Sequence, residues 1–168
     1  GNAFHKQAVY ALRGGWNPLI ESVATWQEAH DPLGSHCDLW IDHYPQGLWS
    51  IATSLYDLTG SIESGKAYTL IMSAGAALLL GSFLCKKGLC AWQSGLIALV
   101  AAANPIVICQ FATYYNDAFL MMALLALLVG LAQIAEGPSG KMRLGFILTA
   151  AAFLLCTEAK FTGFAYAG

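Results

Sequence analysis

Four apolar stretches without a charged residue constrain this chain more than any other feature. They are Ala67–Leu84, Leu89–Ala103, Ala118–Ala135 and Leu144–Thr157. The first and third run for 18 residues each, about 27 Å of helix and close to the hydrocarbon thickness of a bilayer. Charged residues make up only 11% of the chain and the mean hydropathy is +0.56, whereas a soluble domain carries about 25% charged residues. A soluble helical core is a poor alternative when uncharged runs of this length recur. The expected class is therefore all-α, a polytopic membrane protein with about four spans. A net charge of −2 and the lack of a basic patch leave no case for a nucleic-acid partner.

The connections between the runs set the expected orientation. Lys86-Lys87 and Lys141-Met142-Arg143 are basic, whereas Gln110–Asp117 is aromatic and polar with no basic residue. Basic loops stay on the cytoplasmic side. Residues 1–65 and the loop 110–117 are then expected outside the cytoplasm, and residues 66–168 form the membrane region. Both ends read as cut. The N-terminus lacks the layout of a signal peptide, and Phe161–Gly168 reads like the opening of a further apolar helix. The expectation is an internal piece of a larger membrane protein.

Within residues 1–65 the patterning predicts short helices. Phe4–Arg13 contains good helix formers and stops at Gly14-Gly15. Pro18–Ala29 places Leu19, Val23 and Trp26 at three- and four-residue spacing. Tyr44–Leu58 carries an apolar stripe of Leu48, Ile51, Ala52 and Leu55, with Trp49 and Tyr56 as interfacial types. That helix either lies along the membrane surface or packs on its neighbours. Further on, Asn104-Pro105 is expected to kink or end the second apolar helix. The five cysteines show neither metal-ligand spacing nor a disulfide framework.

Three polar clusters fall on the expected outer side. Asp38–Gln46 contains Asp38, Trp40, Asp42, His43 and Tyr44. A carboxylate beside a histidine can act as a base or hold a metal ion, and the aromatic rings can stack on a sugar. Gln110–Asp117 offers amides and phenols that can line a headgroup pocket or form an interfacial aromatic belt. Glu158-Ala159-Lys160 brings charge close to hydrocarbon, where it is costly and often functional. Lys160 can pair with a lipid phosphate as a point charge.

Gly15-Trp16-Asn17-Pro18, Asp42-His43-Tyr44-Pro45, Asn104-Pro105 with Tyr114-Tyr115-Asn116-Asp117, and Lys160-Phe161-Thr162-Gly163 follow one another along most of the chain. In this order they resemble polytopic glycosyltransferases of the C superfamily, which include the dolichyl-phosphate-mannose protein mannosyltransferases and the lipid A aminoarabinose transferases. The resemblance implies transfer of a sugar from a polyprenyl-phosphate-linked donor on the extracytoplasmic face, with membrane lipid as the surrounding partner. Asn2-Ala3-Phe4-His5 looks like the end of the family's acid-to-Tyr-His pattern, with the acid itself expected upstream. Within the chain this leaves Asp42, Asp38 and His43 as catalytic candidates. His5, Tyr44, Gln110, Tyr115, Asn116, Asp117 and Lys160 are the substrate-binding candidates. Sugar transfer needs a base for the acceptor hydroxyl and a counter-charge for the leaving phosphate. A carboxylate meets the first need, and Lys160 or a bound divalent cation the second. A transporter segment and a non-catalytic membrane subunit are the alternatives. Transporters more often set ionisable residues near the bilayer midplane.

The orientation has a direct check. A membrane-impermeant maleimide applied to intact cells should label Cys37, and should label Cys85 and Cys90 only after permeabilisation. Labelling of Cys85 from outside would reverse the assignment.

Overall fold

The structure, a computed structural model, describes residues 3–30, 41, 42, 44–136, 139–160 and 165. The helices are α1 (Ala3–Arg13), α2 (Val23–His30), α3 (Gly47–Thr59), α4 (Ala67–Lys86), α5 (Ala91–Ala102), α6 (Pro105–Gln110), α7 (Asp117–Glu136) and α8 (Ser139–Ala159), with a short 3-10 turn over Ile62–Lys66. Among the described residues there is no strand, as the all-α reading expects.

Three segments are long and apolar enough to cross a membrane: Ile62–Lys86, Asp117–Glu136 and Met142–Ala159. The second apolar run is shorter than a span among the described residues, and its helix ends at Asn104-Pro105 as expected. It yields α5, whose 12 residues span about 18 Å, and a separate short helix follows. Asn104 and Pro105 cause the break. The Asn104 side chain accepts the Val107 N–H at 3.1 Å, and Pro105 fills the first position of α6. A capping side chain followed by proline starts a new helix, so α6 begins just beyond the run.

The helices pack in the order α5–α4–α7–α8, with α6 against α7 and α4. Between apolar helices in lipid there is little hydrophobic drive, so close approach of small residues carries the contact. Gly130 and Gly145 supply it between α7 and α8. A Cβ on Gly130 would lie 2.6 Å from Thr149 Oγ1 and 3.0 Å from the Thr149 nitrogen, and one on Gly145 would lie 3.0 Å from the Ile134 nitrogen. Leu78, Leu99, Leu128 and Leu154 face outward, where hydrocarbon suits them. Lys87 pairs with Glu136 and ties the basic turn after α4 to the end of α7.

In the N-terminal region α1 ends as its sequence predicts. Gly15 takes φ +98°, a conformation that favours glycine, and the Trp16 N–H returns to the Ala11 carbonyl at 2.9 Å. The second helix starts later than its periodicity suggests. Ser22 Oγ accepts the Thr25 N–H, so α2 begins at Val23, while Asn17–Ile20 forms a turn that leaves Leu19 94% exposed. Val23 and Trp26 are buried as expected. Helix α3 packs on α1, α4, α8 and the 3-10 turn, with Leu48, Trp49 and Ala52 fully buried. Leu48 and Ala52 of its apolar stripe therefore face protein, while Ile51 is 38% exposed. One core runs from Ala8, Val9 and Trp49 through Tyr68 and Tyr114 to Phe119, Cys156 and Ala159. It joins the N-terminal region to the ends of α4, α7 and α8.

Overpacking tests the α7–α8 contact. Gly130→Val should destabilise the detergent-solubilised protein by about 1–3 kcal/mol. Gly75→Val should be close to neutral in the same thermal unfolding assay, because a Cβ there meets nothing within 4 Å.

Candidate functional site

His5, in the first turns of α1, is buried to 2% exposure inside an aromatic box. The Phe4 ring lies 3.8 Å away, centroid to centroid. The rings of Trp49, Tyr44 and Tyr115 stand edge-on at 5.7, 6.1 and 6.2 Å. Trp49 Nε1 donates to His5 Nδ1 at 2.9 Å. With Nδ1 accepting, the neutral imidazole carries its proton on Nε2 and is a donor there. Burial pushes the His5 pKa down to about 4, against an opposing pull from the Asp117 carboxylate.

The connection between α6 and α7 is held by its own side chains. Gln110 Oε1 accepts the Ala118 N–H at 2.9 Å, and its Nε2 donates to Asp117 Oδ2 at 3.4 Å. Thr113 Oγ1 donates to the Gln110 carbonyl and accepts the Tyr115 N–H. Tyr114 is wholly buried, and its hydroxyl donates to the Ile62 carbonyl. Burial pushes this phenol up to about 12. Asn116 is 4% exposed. Its Nδ2 donates to the Ala159 carbonyl at 3.1 Å, and its Oδ1 accepts the Tyr68 hydroxyl at 3.2 Å.

Asp117 opens α7, and Lys160 follows the last residue of α8. Lys160 Nζ lies 2.8 Å from Asp117 Oδ1, with the two side chains 34% and 46% exposed. A pair this open to water contributes at most about 1 kcal/mol. His5, Tyr44, Tyr115, Asn116, Asp117 and Lys160 together line a cleft of about 30 Å³. That is room for one or two water-sized groups, too little for a sugar ring.

Six of the seven residues read from sequence as substrate-binding thus meet in one cleft, and Gln110, the seventh, sits behind Asp117. Of the catalytic candidates, only Asp42 lies among the described residues, and it falls elsewhere. Asp42 is exposed, and its Oδ1 accepts the Val23 N–H at 2.9 Å, holding the first turn of α2. It is not part of the cleft lining. Asp38 and His43 lie outside the described residues. Among the described residues no three His, Cys, Asp or Glu side chains gather as a metal ion would require. Sequence reasoning missed Phe4, Tyr68 and the bond from Trp49 to His5. Trp49 borders the buried stripe of α3, the one local sign that it faces inward. Comparison with family models, curated proteins and solved structures returned no match.

The buried histidine predicts a pH dependence. Above pH 6.5 His5 is neutral whether the chain is folded or not. Between pH 6.5 and about 4 the unfolded chain binds a proton that the folded one refuses, so stability should fall as pH drops through this window. His5→Asn places an oxygen where Nδ1 accepts and removes the titration. Unfolding midpoints measured from pH 7 to 4 should fall more steeply for the wild type than for this variant.

Proposed function

We propose that the chain belongs to an integral-membrane glycosyltransferase that takes a sugar from a polyprenyl-phosphate-linked donor on the extracytoplasmic face. The cleft between His5 and Lys160 receives the donor headgroup. Lys160 meets the phosphate, the neutral His5 donates from Nε2, and Tyr44 and Tyr115 offer aromatic faces to the sugar. One observation supports this reading above the others: residues 5, 44, 115–117 and 160, chosen from four separate segments by residue type and order, line a single cleft.

The position of the ionisable groups supports an enzyme over a transporter. Asp117 is the first residue of α7 and Lys160 lies just beyond α8, so this pair sits at helix ends rather than halfway along a span. A lipid-linked headgroup emerges from hydrocarbon at such a level, whereas a transported ion is held near the midplane.

The test is turnover by the purified full-length protein with radiolabelled lipid-linked sugars. Lys160→Ala should slow it at least tenfold, about 1.4 kcal/mol of barrier. Asp42→Asn keeps an oxygen that can hold α2, so a comparable loss in that variant would assign Asp42 to the chemistry rather than to the fold. A wild-type protein that turns over no lipid-linked sugar but moves solute across liposomes would replace the enzyme reading with the transporter one.

A further inference from the structure

We infer that the groove between α4 and α5 holds an acyl chain of an anionic glycerophospholipid, with the lipid's phosphate at Lys86 and the start of α5. The site is separate from the cleft described above. Tyr68, which Asn116 holds, is at the opposite end of α4, about 27 Å away along the helix.

The groove has the size and walls for a lipid chain. It measures about 760 Å³, with Leu78 and Gly81 of α4 on one side, Gly95, Ala98 and Leu99 of α5 on the other, and Lys86 at one end. The glycines keep it open. A Cβ on Gly95 would meet nothing within 4 Å, and one on Gly81 would first meet Ala98 at 3.6 Å. Leu78 and Leu99 are 74% and 62% exposed, on a helix long and apolar enough to cross a membrane and on the short apolar helix beside it.

Charge at one end selects the headgroup. Lys86 is the last residue of α4 and is exposed. Lys87, beside it, is paired with Glu136, which leaves Lys86 as the cation at the groove's end. Helix α5 begins at Ala91, and its N-cap residue Cys90 supplies no side-chain cap. The N–H groups of that first turn and the positive end of the helix dipole favour an anion. Basic pockets between membrane helices recognise lipid phosphates in this way.

Ser94 points to a glycerophospholipid in particular. It lines the groove, is 1% exposed, and its hydroxyl has no hydrogen-bond partner. A serine within a helix commonly bonds the carbonyl four residues back, as Ser73 does to Thr69, but Ser94 does not. An unpaired hydroxyl at membrane depth is costly, because no water reaches it. Ser94 lies three residues into α5, about 4.5 Å below its start. With the phosphate at Lys86, this is the level of the ester linkages. An ester carbonyl there accepts the Ser94 hydroxyl, and the chain continues past Gly95, Ala98 and Leu99. A docking helix would arrive with its own backbone bonds already made and would leave the cationic end unmatched. Helix α5 packs chiefly on α4, so a lipid seated along both would brace it.

The test uses the full-length protein in phosphatidylcholine nanodiscs that contain a minor fraction of a lipid with a photoreactive diazirine on its acyl chain. Crosslinks to α4 and α5 are counted by mass spectrometry. Photoreactive phosphatidylglycerol should label these helices about fivefold more than photoreactive phosphatidylcholine, the preference that one lysine near a headgroup provides. Lys86→Gln should make the two lipids equal. Gly95→Leu fills the groove and should abolish the preference, while Gly75→Leu, on α4 but outside the groove, should keep it. Ser94→Ala should reduce phosphatidylglycerol labelling about threefold through the lost hydrogen bond, and an unchanged yield would overturn the ester contact. Equal labelling by the two lipids in the wild type, or a preference that survives Lys86→Gln, would overturn the headgroup site. Stronger labelling by a photoreactive polyprenyl phosphate, which has no ester, would replace the glycerophospholipid with a polyprenyl one. Labelling by none of these lipids would place another protein segment in the groove and overturn the inference.

Discussion

The amide of Asn116 joins three helix ends that the chain itself keeps far apart. It donates to the last carbonyl of α8 and accepts from Tyr68 in the first turn of α4, while its own backbone leads into α7. A buried polar group costs about 1–3 kcal/mol when it loses its partner, and here one amide satisfies two. The bonds are directional, so they fix the relative position of α4, α7 and α8 at this end of the bundle, which apolar side-chain packing alone does only loosely. Asp117 and Lys160 each lie one residue from an atom in this clasp. Their separation of 2.8 Å follows from it.

The aromatic box depends on the clasp in turn. Tyr115 is held between the clasp and Thr113, and its ring stands edge-on to His5 at 6.2 Å. The imidazole is kept neutral by burial and oriented by the indole N–H. A histidine held this way serves as a fixed hydrogen-bond donor over the whole physiological pH range. That suits recognition of an anionic or hydroxylated group better than proton shuttling.

Much of the fold was legible because it rests on local rules. Uncharged length marks the spanning helices, Gly15 marks the end of α1, and Asn104-Pro105 marks a break. The errors came where a local signal met a stronger neighbour. Leu19 matched the periodicity of α2, but Ser22 starts that helix four residues after Pro18 and leaves Leu19 outside it. Trp49 has the character of an interfacial residue, yet its N–H finds His5 across 44 positions of sequence, a pairing that no spacing rule reaches. The site divides along the same line. Polar residues beside the ends of apolar runs stand out from the pattern, so the 115–117 segment and Lys160 could be picked without coordinates, while His5 and Tyr44 were picked from short motifs in the N-terminal region. Asp42 stood out as a carboxylate beside a histidine, but its oxygen serves the first turn of α2. Composition cannot separate a capping carboxylate from a reactive one.

The early end of α5 bears on the membrane around it. Its roughly 18 Å of helix meets a hydrocarbon layer of about 30 Å. A span that short leaves a mismatch, met by local thinning of the lipid or by shielding from adjacent protein. The shortened helix flanks α4, and α6 fills part of the remaining depth by packing against α4 and α7. Where lipid covers this flank, the polar boundary dips toward the bilayer centre. A long-chain lipid approaching along α5 would then have its headgroup below the level it takes beside α7 or α8, and the bundle would present a sloped rather than a level approach from the bilayer.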